Sequence, residues 1–415
     1  MKVLQFPAYT TIQADKEFSR SATGYGYMTF DIASSIARSG VEVDLLTQVN
    51  FTTGKKCGQV NLLKHSWFNI ISNFKLRFLF QSVNQIFRDH IRQKKMPNIL
   101  LYYLNMGYFE KLVRKNRYDI IHIHGIGYYT IPIIKSCLRN QYSFVVTLHG
   151  LNSFSNSVQV SESEKNIEKY FIKQAEIDNI TYTVISSGIK KTILDFLNID
   201  SSKNCHTILN GCDTDIDNIT NRINLREAYN IPINAKIMLS IGNICNRKNQ
   251  EQIVRAYSKL DTKHKEKLVI LFLGSDTTNG RFERAISELK INNGLIYCGN
   301  IPKKELYAYY DQADYNIVAS LNEGFGLSII EGFVFGLPTI TFNDLDAIPD
   351  LYHEKTMQIV FSRTDEALAE GITQFISNKW DKYFIKNYSK KFSLKVMAKK
   401  YIQLYQNIIN EVDKE

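Results

Sequence analysis

The chain predicts an α/β protein built on two parallel, doubly wound sheets, and three observations lead there. Short apolar runs bounded by turn residues alternate with helix-length stretches in both halves. At 415 residues with 44% hydrophobic side chains, it can bury more than one core, and usual domain sizes suggest two or three domains. Several glycine-bearing loops follow the apolar runs, where ligands of such sheets bind.

In chain order, the first half offers strands at Val3–Pro7, Val41–Thr47, Ile120–His124, Phe144–His149 and Tyr182–Ser186. Gly24-Tyr-Gly26 precedes a helical run from Met28 to Arg38. The second half offers Lys236–Ile241, Leu268–Gly274, Leu295–Cys298, Asn316–Ser320 and Thr339–Phe342. Asn210-Gly211 is a turn signal, and the polar DTDIDNITNR after it reads as a linker. Domains are therefore expected at 1–212 and 231–392, joined by 213–230, with a last helix in 393–415. No internal repeat or low-complexity run appears.

The richest stretch is Asn322 to Pro338, NEGFGLSIIEGFVFGLP. The apolar run ending at Ser320 reads as a buried strand, Glu323 to Gly326 as the loop at its carboxyl end, and Ser328 onward as a helix. Glycines let the main chain approach a ligand closely, and free N–H groups at a helix start favour a diphosphate. Glu331, about one turn inside, is placed to accept hydrogen bonds from ribose hydroxyls. The plain alternative is that Ser328-x-x-Glu331 is a capping box that closes the helix start without any ligand.

The whole string resembles the signature of retaining glycosyltransferases of family 4, enzymes with the two-domain GT-B fold. There a Glu-x7-Glu pair flanks a Gly-Phe-Gly-Leu loop. Tyr118–His124, Val146–Gly150, Ile208–Asp213, Ser240–Asn243 with Lys248, Leu271–Gly274 and Cys298–Pro302 look like further landmarks in the family's order. The match is dense from about Ile237 to Pro349, looser before, and absent between about Phe51 and Asn116.

The resemblance implies two Rossmann-like domains facing a central cleft, an acceptor-side first domain, a donor-binding second domain, and a last helix, Leu394–Val412, packing back on the first. His149 matches the histidine placed against the donor sugar, and Glu323 a glutamate facing the sugar hydroxyls and developing positive charge; these are the catalytic candidates. Lys248 matches the lysine on the diphosphate. Gly324, Phe325, Gly326 and Leu327 would supply amides, Glu331 would bind ribose, and Ile301 falls in the landmark Cys298–Pro302 on the donor side. Gly24 and Gly26 resemble the first-strand glycine loop, though they serve a turn equally well.

Two departures stand out. Asn243 occupies a position where the family usually has arginine, so one phosphate cation is missing there; Arg247, beside Lys248, is the candidate to compensate. Where the family commonly shows Gly-Gly-x-Pro-Glu, this chain has Asp344-Leu-Asp-Ala-Ile-Pro-Asp350, which puts more bulk and acid there.

Asp213-Thr-Asp215 imitates the metal signature of GT-A enzymes, but its surroundings resemble a family 4 hinge. His122-x-His124 could place two ligands on one strand face, yet no third has a recognisable spacing, which favours structural histidines. No metal and no cofactor are expected beyond the nucleotide-sugar substrate, UDP-linked in preference to GDP-linked. Cations and amides would then hold the leaving diphosphate.

Charge is unevenly placed. Lys64 to Arg117 carries eleven basic residues against Asp89 and Glu110, or +9 of a chain total of +10. Trp67, Phe68, Phe74, Phe78, Phe80, Phe87, Tyr102, Tyr103 and Tyr108 interleave with them. That pattern suits an anionic bilayer surface; the plain alternative is a surface helix pair with core-facing aromatics. Nucleic acid would attract the same charges, but nothing else resembles a nucleic-acid module.

Six scattered cysteines and a start, MKVLQFPAYTT, without a long apolar core point to a reducing cytosol. No run approaches a membrane span. The expectation is a cytoplasmic enzyme, peripheral at the inner face of the membrane, that extends a surface glycan of polysaccharide, O-antigen or capsule type, with a lipid-linked acceptor as one form of it, beside other glycosyltransferases. Alternatives are a transferase with a soluble acceptor, or a catalytically silent nucleotide-sugar-binding relative.

Overall fold

The computed structural model describes residues 1–12, 15, 18, 23–47, 52–88, 96–128, 130–154, 161–216, 223–288 and 294–412. Contacts divide the chain into two units, Met1–Asn210 with Leu394–Glu415, and Gly211–Ser393. The division falls at the Asn210-Gly211 turn. Part of the expected linker, 217–222, lies outside the described residues. In what remains of it, the Asp215 amide donates to the Asp213 carboxylate at 3.2 Å, so this acidic pair closes a local turn.

Among the described residues, the first unit holds an eight-stranded sheet. Its strands are β1 (Lys2–Pro7), β2 (Glu42–Leu45), β3 (Lys55–Cys57), β4 (Val60–Leu62), β5 (Ile120–His124), β6 (Phe144–Leu148), β7 (Tyr182–Val184) and β8 (Cys205–Thr207). They run in the order β3-β4-β2-β1-β5-β6-β7-β8, parallel except for β3 against β4. The five strands expected from sequence are present. β3, β4 and β8 were not anticipated, since Lys55-Lys-Cys57, Val60-Asn-Leu62 and Cys205-His-Thr207 form no apolar run.

Central strands covered on both faces read as continuous apolar runs, and here polar residues interrupt them. Gln5, His122, His124, Thr147 and Thr183 are all 0% exposed. The helix Leu394–Val412 lies on the helix Gly24–Arg38 and carries Tyr401 and Tyr405, one turn apart, which hydrogen bond to Thr147 and His122.

Helices Trp67–Ser72, Leu76–Arg88 and Met96–Asn116 follow β4, and the first two pack on the third. The structure splits the basic, aromatic segment into two kinds of residue. Phe78 and Tyr103 are buried, whereas Trp67, Phe68, Phe74 and Phe80 stay exposed. Lys75 and Arg77 do not stand free: with Arg139 they converge on the buried Glu110 at 2.9, 2.6 and 3.1 Å. Asp89, Arg92, Lys94 and Lys95 lie outside the described residues, as do the side chains of Phe87, Arg88 and Tyr102. Among the described residues no helix is long and apolar enough to cross a membrane.

Among the described residues, the second unit holds six strands: β9 (Lys236–Ile241), β10 (Leu268–Leu273), β11 (Leu295–Gly299), β12 (Tyr315–Val318), β13 (Thr339–Phe342) and β14 (Met357–Val360). All pairings are parallel, in the order β11-β10-β9-β12-β13-β14. Only β14 escaped the sequence reading. One core, around Phe272, Phe282 and Phe342, lies on one face, and another, around Leu225, Tyr310 and Leu337, lies on the other. The chain reverses its winding between β9 and β12, so the loops leaving those two strands part and open a crevice.

Candidate functional site

Both loops at that switch point carry residues singled out from the sequence. After β9 the backbone turns through Gly242 at φ +132°, and Gly274 follows β10 at φ +147°. A Cβ on Gly274 would come within 2.2 Å of the Gly242 carbonyl oxygen, so the two loops touch main chain to main chain. Gln250, 2% exposed, fastens this turn by donating to the carbonyls of Gly242 and Asn243, each at 3.2 Å. Asn243 itself is exposed.

Arg247 and Lys248 meet Glu323 from the loop after β12. Lys248 Nζ donates to Glu323 Oε2 at 2.5 Å, and Arg247 lies 3.6 Å from the same oxygen while donating to the Asn322 carbonyl at 3.0 Å. A further bond from the Leu321 amide to the Arg247 carbonyl, 2.8 Å, ties the loops together. Burial pushes the Glu323 carboxyl up, but the two cations outweigh it and hold it below the usual carboxylate range. Lys248 and Glu323 are only 15% and 14% exposed, so neither charge is well solvated without the other.

The helix Leu327–Val334 begins at Gly326, which sits at φ +82° as its N-cap. Ser328 is therefore the second helical residue, and no side chain caps this end. The capping-box reading does not hold: the helix starts two residues earlier than such a box requires. Among the described residues, the N–H groups of Phe325, Gly326, Leu327 and Ser328 find no acceptor. Phe325 is 2% exposed and its ring packs near Phe392, so its side chain is core while its main chain lines the loop.

Glu331 accepts from the Tyr310 hydroxyl at 3.1 Å and lies 3.8 Å from Lys303. Burial first, then the Glu331 charge, keeps the Tyr310 hydroxyl protonated far above its usual range. Ile301 packs against the core around Tyr310. The acidic loop after β13 proves less open than its sequence suggests, because Arg363 clasps Asp344 with two bonds of 2.6 Å and donates to the Ser320 carbonyl at 2.7 Å. Burial raises the Asp346 carboxyl.

In the first unit, His149 follows β6 and is followed by Gly150 at φ +152°. Its Nε2 lies 3.0 Å from His124 Nδ1, and its ring meets Tyr25 edge-on at 5.0 Å. Burial pushes the His149 imidazole down to about 3, so it is neutral at any ordinary pH. Gly24 and Gly26 open the helix Gly24–Arg38, where Thr23 caps the Gly26 amide. Between them, Tyr25 donates to the His124 carbonyl and accepts from the Ala8 amide, each at 3.1 Å. His122 and His124 spend their ring nitrogens on Tyr405, Thr147, Gln5 and His149. No group of three or more metal-ligating side chains forms among the described residues.

Sequence reasoning missed Gln250, Arg363, Gln5 and Tyr25. Gln5 carried a usable signal, a polar side chain inside the apolar run Val3-Leu-Gln-Phe6. The others become visible only once the loops they fasten are in place.

The chain matches Glycosyltransferase Family 4 over residues 22–216 and Glycosyl transferases group 1 over residues 221–392. It is 22% identical over 344 residues to an uncharacterized glycosyltransferase of Methanocaldococcus jannaschii, covering 79% of this chain and 86% of that one. It is 24% identical over 307 residues to the O-antigen biosynthesis glycosyltransferase WclY of Escherichia coli, covering 71% and 81%. The Anabaena protein HepE, solved in complex with UDP, superposes with a TM-score of 0.66 at 14% identity over 98% of this chain and 100% of that one.

Proposed function

The chain belongs to the family 4 glycosyltransferases of the GT-B fold, and on that premise we propose that it moves a sugar from a nucleoside-diphosphate sugar to a hydroxyl of a growing surface glycan, with retention at the anomeric carbon. The observation that carries this reading is the switch-point loop pair of the second unit. Two cations and a run of unpaired amides at a helix start offer what a departing diphosphate requires. UDP is the favoured nucleotide, since a fold relative binds it.

In the transfer, the bond between the anomeric carbon and the diphosphate oxygen breaks and one to the acceptor oxygen forms on the same face. The acceptor proton passes to a donor phosphate oxygen. Lys248 and Arg247 counter the charge of the leaving group, Glu323 faces the sugar hydroxyls and its developing positive charge, and Glu331 takes the ribose. The surface-glycan acceptor is supported by the O-antigen relative.

We assign the membrane side to the exposed faces of Trp67–Ser72 and Leu76–Arg88. Phe68, Ile71 and Phe80 are 76%, 70% and 67% exposed, beside Trp67, Phe74 and Leu76 and amid Lys64, Lys75 and Arg77. An apolar face rimmed by cations suits an anionic lipid surface and makes the protein peripheral there.

Thermal unfolding with UDP, GDP, ADP and CMP tests the donor site. A ligand at a hundred times its Kd adds about 2.7 kcal/mol, so UDP should raise Tm by several degrees; no shift from any nucleotide would sink the donor site and with it the transferase reading. Replacing Phe68, Ile71 and Phe80 with Ser should abolish sedimentation with phosphatidylglycerol vesicles. Unchanged sedimentation would reassign the membrane face and favour a soluble acceptor.

A further inference from the structure

The polar row that interrupts the first sheet is a continuous chain of hydrogen bonds ending at His149. Gln5, on β1, stands at its centre with an amide that accepts at one end and donates at the other. His124 Nε2 lies 2.5 Å from the Gln5 carbonyl oxygen, and Gln5 Nε2 donates to the Tyr405 hydroxyl at 3.3 Å.

Neutral imidazole has one N–H and one bare nitrogen, so each bond fixes the next. His124 gives its Nε2 proton to Gln5, which leaves Nδ1 bare to accept from His149 Nε2. His149 is then left with a bare Nδ1, which has no partner among the described residues. On the other side, Tyr405 receives from Gln5 and gives its proton to His122 Nδ1 at 2.6 Å. His122 Nε2 gives to Thr147, which lies 2.6 Å from Thr183. Every donor points the same way, and every member but His149 is 0% exposed.

We propose that His124, Gln5 and Tyr405 are positioning residues that lock His149 as the Nε2-protonated tautomer and turn the Nδ1 lone pair outward, as an acceptor for a hydroxyl of the sugar substrate. Burial holds His122, His124 and His149 uncharged, each well below the ordinary histidine range, which keeps the order intact. Reversing the lock means rotating the Gln5 amide and moving every proton in the row together. An unlocked imidazole spends part of its time with Nδ1–H outward, where it can only donate to a hydroxyl oxygen and cannot accept the hydroxyl's own hydrogen bond.

The inference rests on the proposed transferase reading only for the identity of the hydroxyl, because the tautomer can be read with no substrate present. The experiment is a long-range ¹H–¹⁵N spectrum of full-length protein labelled in histidine, with His149→Gln used for assignment. His149 is expected as the Nε2–H form with Nδ1 bare; the Nδ1–H form in the native chain overturns the proposal. Gln5→Met, which keeps the volume and removes both amide bonds, is expected to give a mixed His149 signal while UDP still raises Tm as in the native protein. With the donor found by nucleotide screening, its kcat should fall about tenfold and its KM stay within about twofold. A Gln5→Met protein whose His149 spectrum is unchanged removes Gln5 from the mechanism, whatever happens to kcat.

Discussion

The two candidate sites, one in each unit, solve the same problem, holding a side chain in one orientation, by opposite means. In the second unit, Lys248 and Glu323 come from two different loops and are oriented by charge, with Arg247 beside them. In the first, His149 is oriented by neutral groups alone, through His124, Gln5 and Tyr405. A charged cluster binds a charged group strongly, but it is costly to leave incomplete. A neutral row costs little to bury while all its bonds are made, and it supplies direction rather than attraction.

The charged half should break hardest. Lys248→Met leaves Glu323 buried beside Arg247 alone, and the second unit should lose about 3 kcal/mol, the low end for a broken buried pair. Lys248→Met with Glu323→Gln should recover most of it, measured by urea unfolding; a double variant no more stable than the single one would mean that the pair is not coupled. UDP affinity should fall in both, since the lysine is absent from each. Gly274→Ala tests the backbone that carries those charges. Its Cβ has no space against Gly242 and its φ of +147° excludes most side chains, so about 2 kcal/mol should be lost together with UDP binding.

The neutral half shows itself through pH. His149 titrates near 3 in the fold and near 6.5 when unfolded. Below pH 6.5 the unfolded chain binds the extra proton, so stability rises with pH between about 3 and 6.5. At pH 5 that one group costs about 2 kcal/mol relative to pH 7, and His122 and His124 act in the same direction. Glu323, held below its usual range, adds its own loss only at lower pH. Urea midpoints from pH 4.5 to 7.5 should therefore fall steadily below 6.5, and a flat profile would mean that the row is charged or open to water. The smallest effect sharpens the charged half: Asn243→Arg, at an exposed position, should tighten UDP by less than about 1 kcal/mol, and a larger gain would show that Arg247 does not compensate.

Legibility followed the same division. Glu323 and the Gly324–Gly326 loop could be read because they lie in one continuous stretch that carries a family signature, and Lys248 because it falls on a separate landmark of the same family. Ten of the strands were readable as apolar runs; β3 and β8 are mostly polar, and Asn61 and Gln358 interrupt β4 and β14. The hydrogen-bonded row was not legible. Its members come from β1, β5, β6, β7 and a helix near residue 400, and only the register of parallel strands brings them side by side. The basic segment was legible only in part for a related reason, since the sequence counts Lys75 and Arg77 but cannot show that Glu110 and Arg139 meet them.

The helix Leu394–Val412 has a consequence for how the protein is made. Tyr405 bonds to Gln5 across 400 residues of sequence and to His122 across 283. On a ribosome adding about 5–20 residues each second, His122 waits roughly 15–60 s for that partner. Until then the first sheet emerges with its buried amide and imidazoles wet and one face uncovered. A nascent chain in that condition invites chaperone binding, and ribosome profiling of chaperone-associated chains should find occupancy on the first unit that ends only when Tyr401 and Tyr405 leave the exit tunnel.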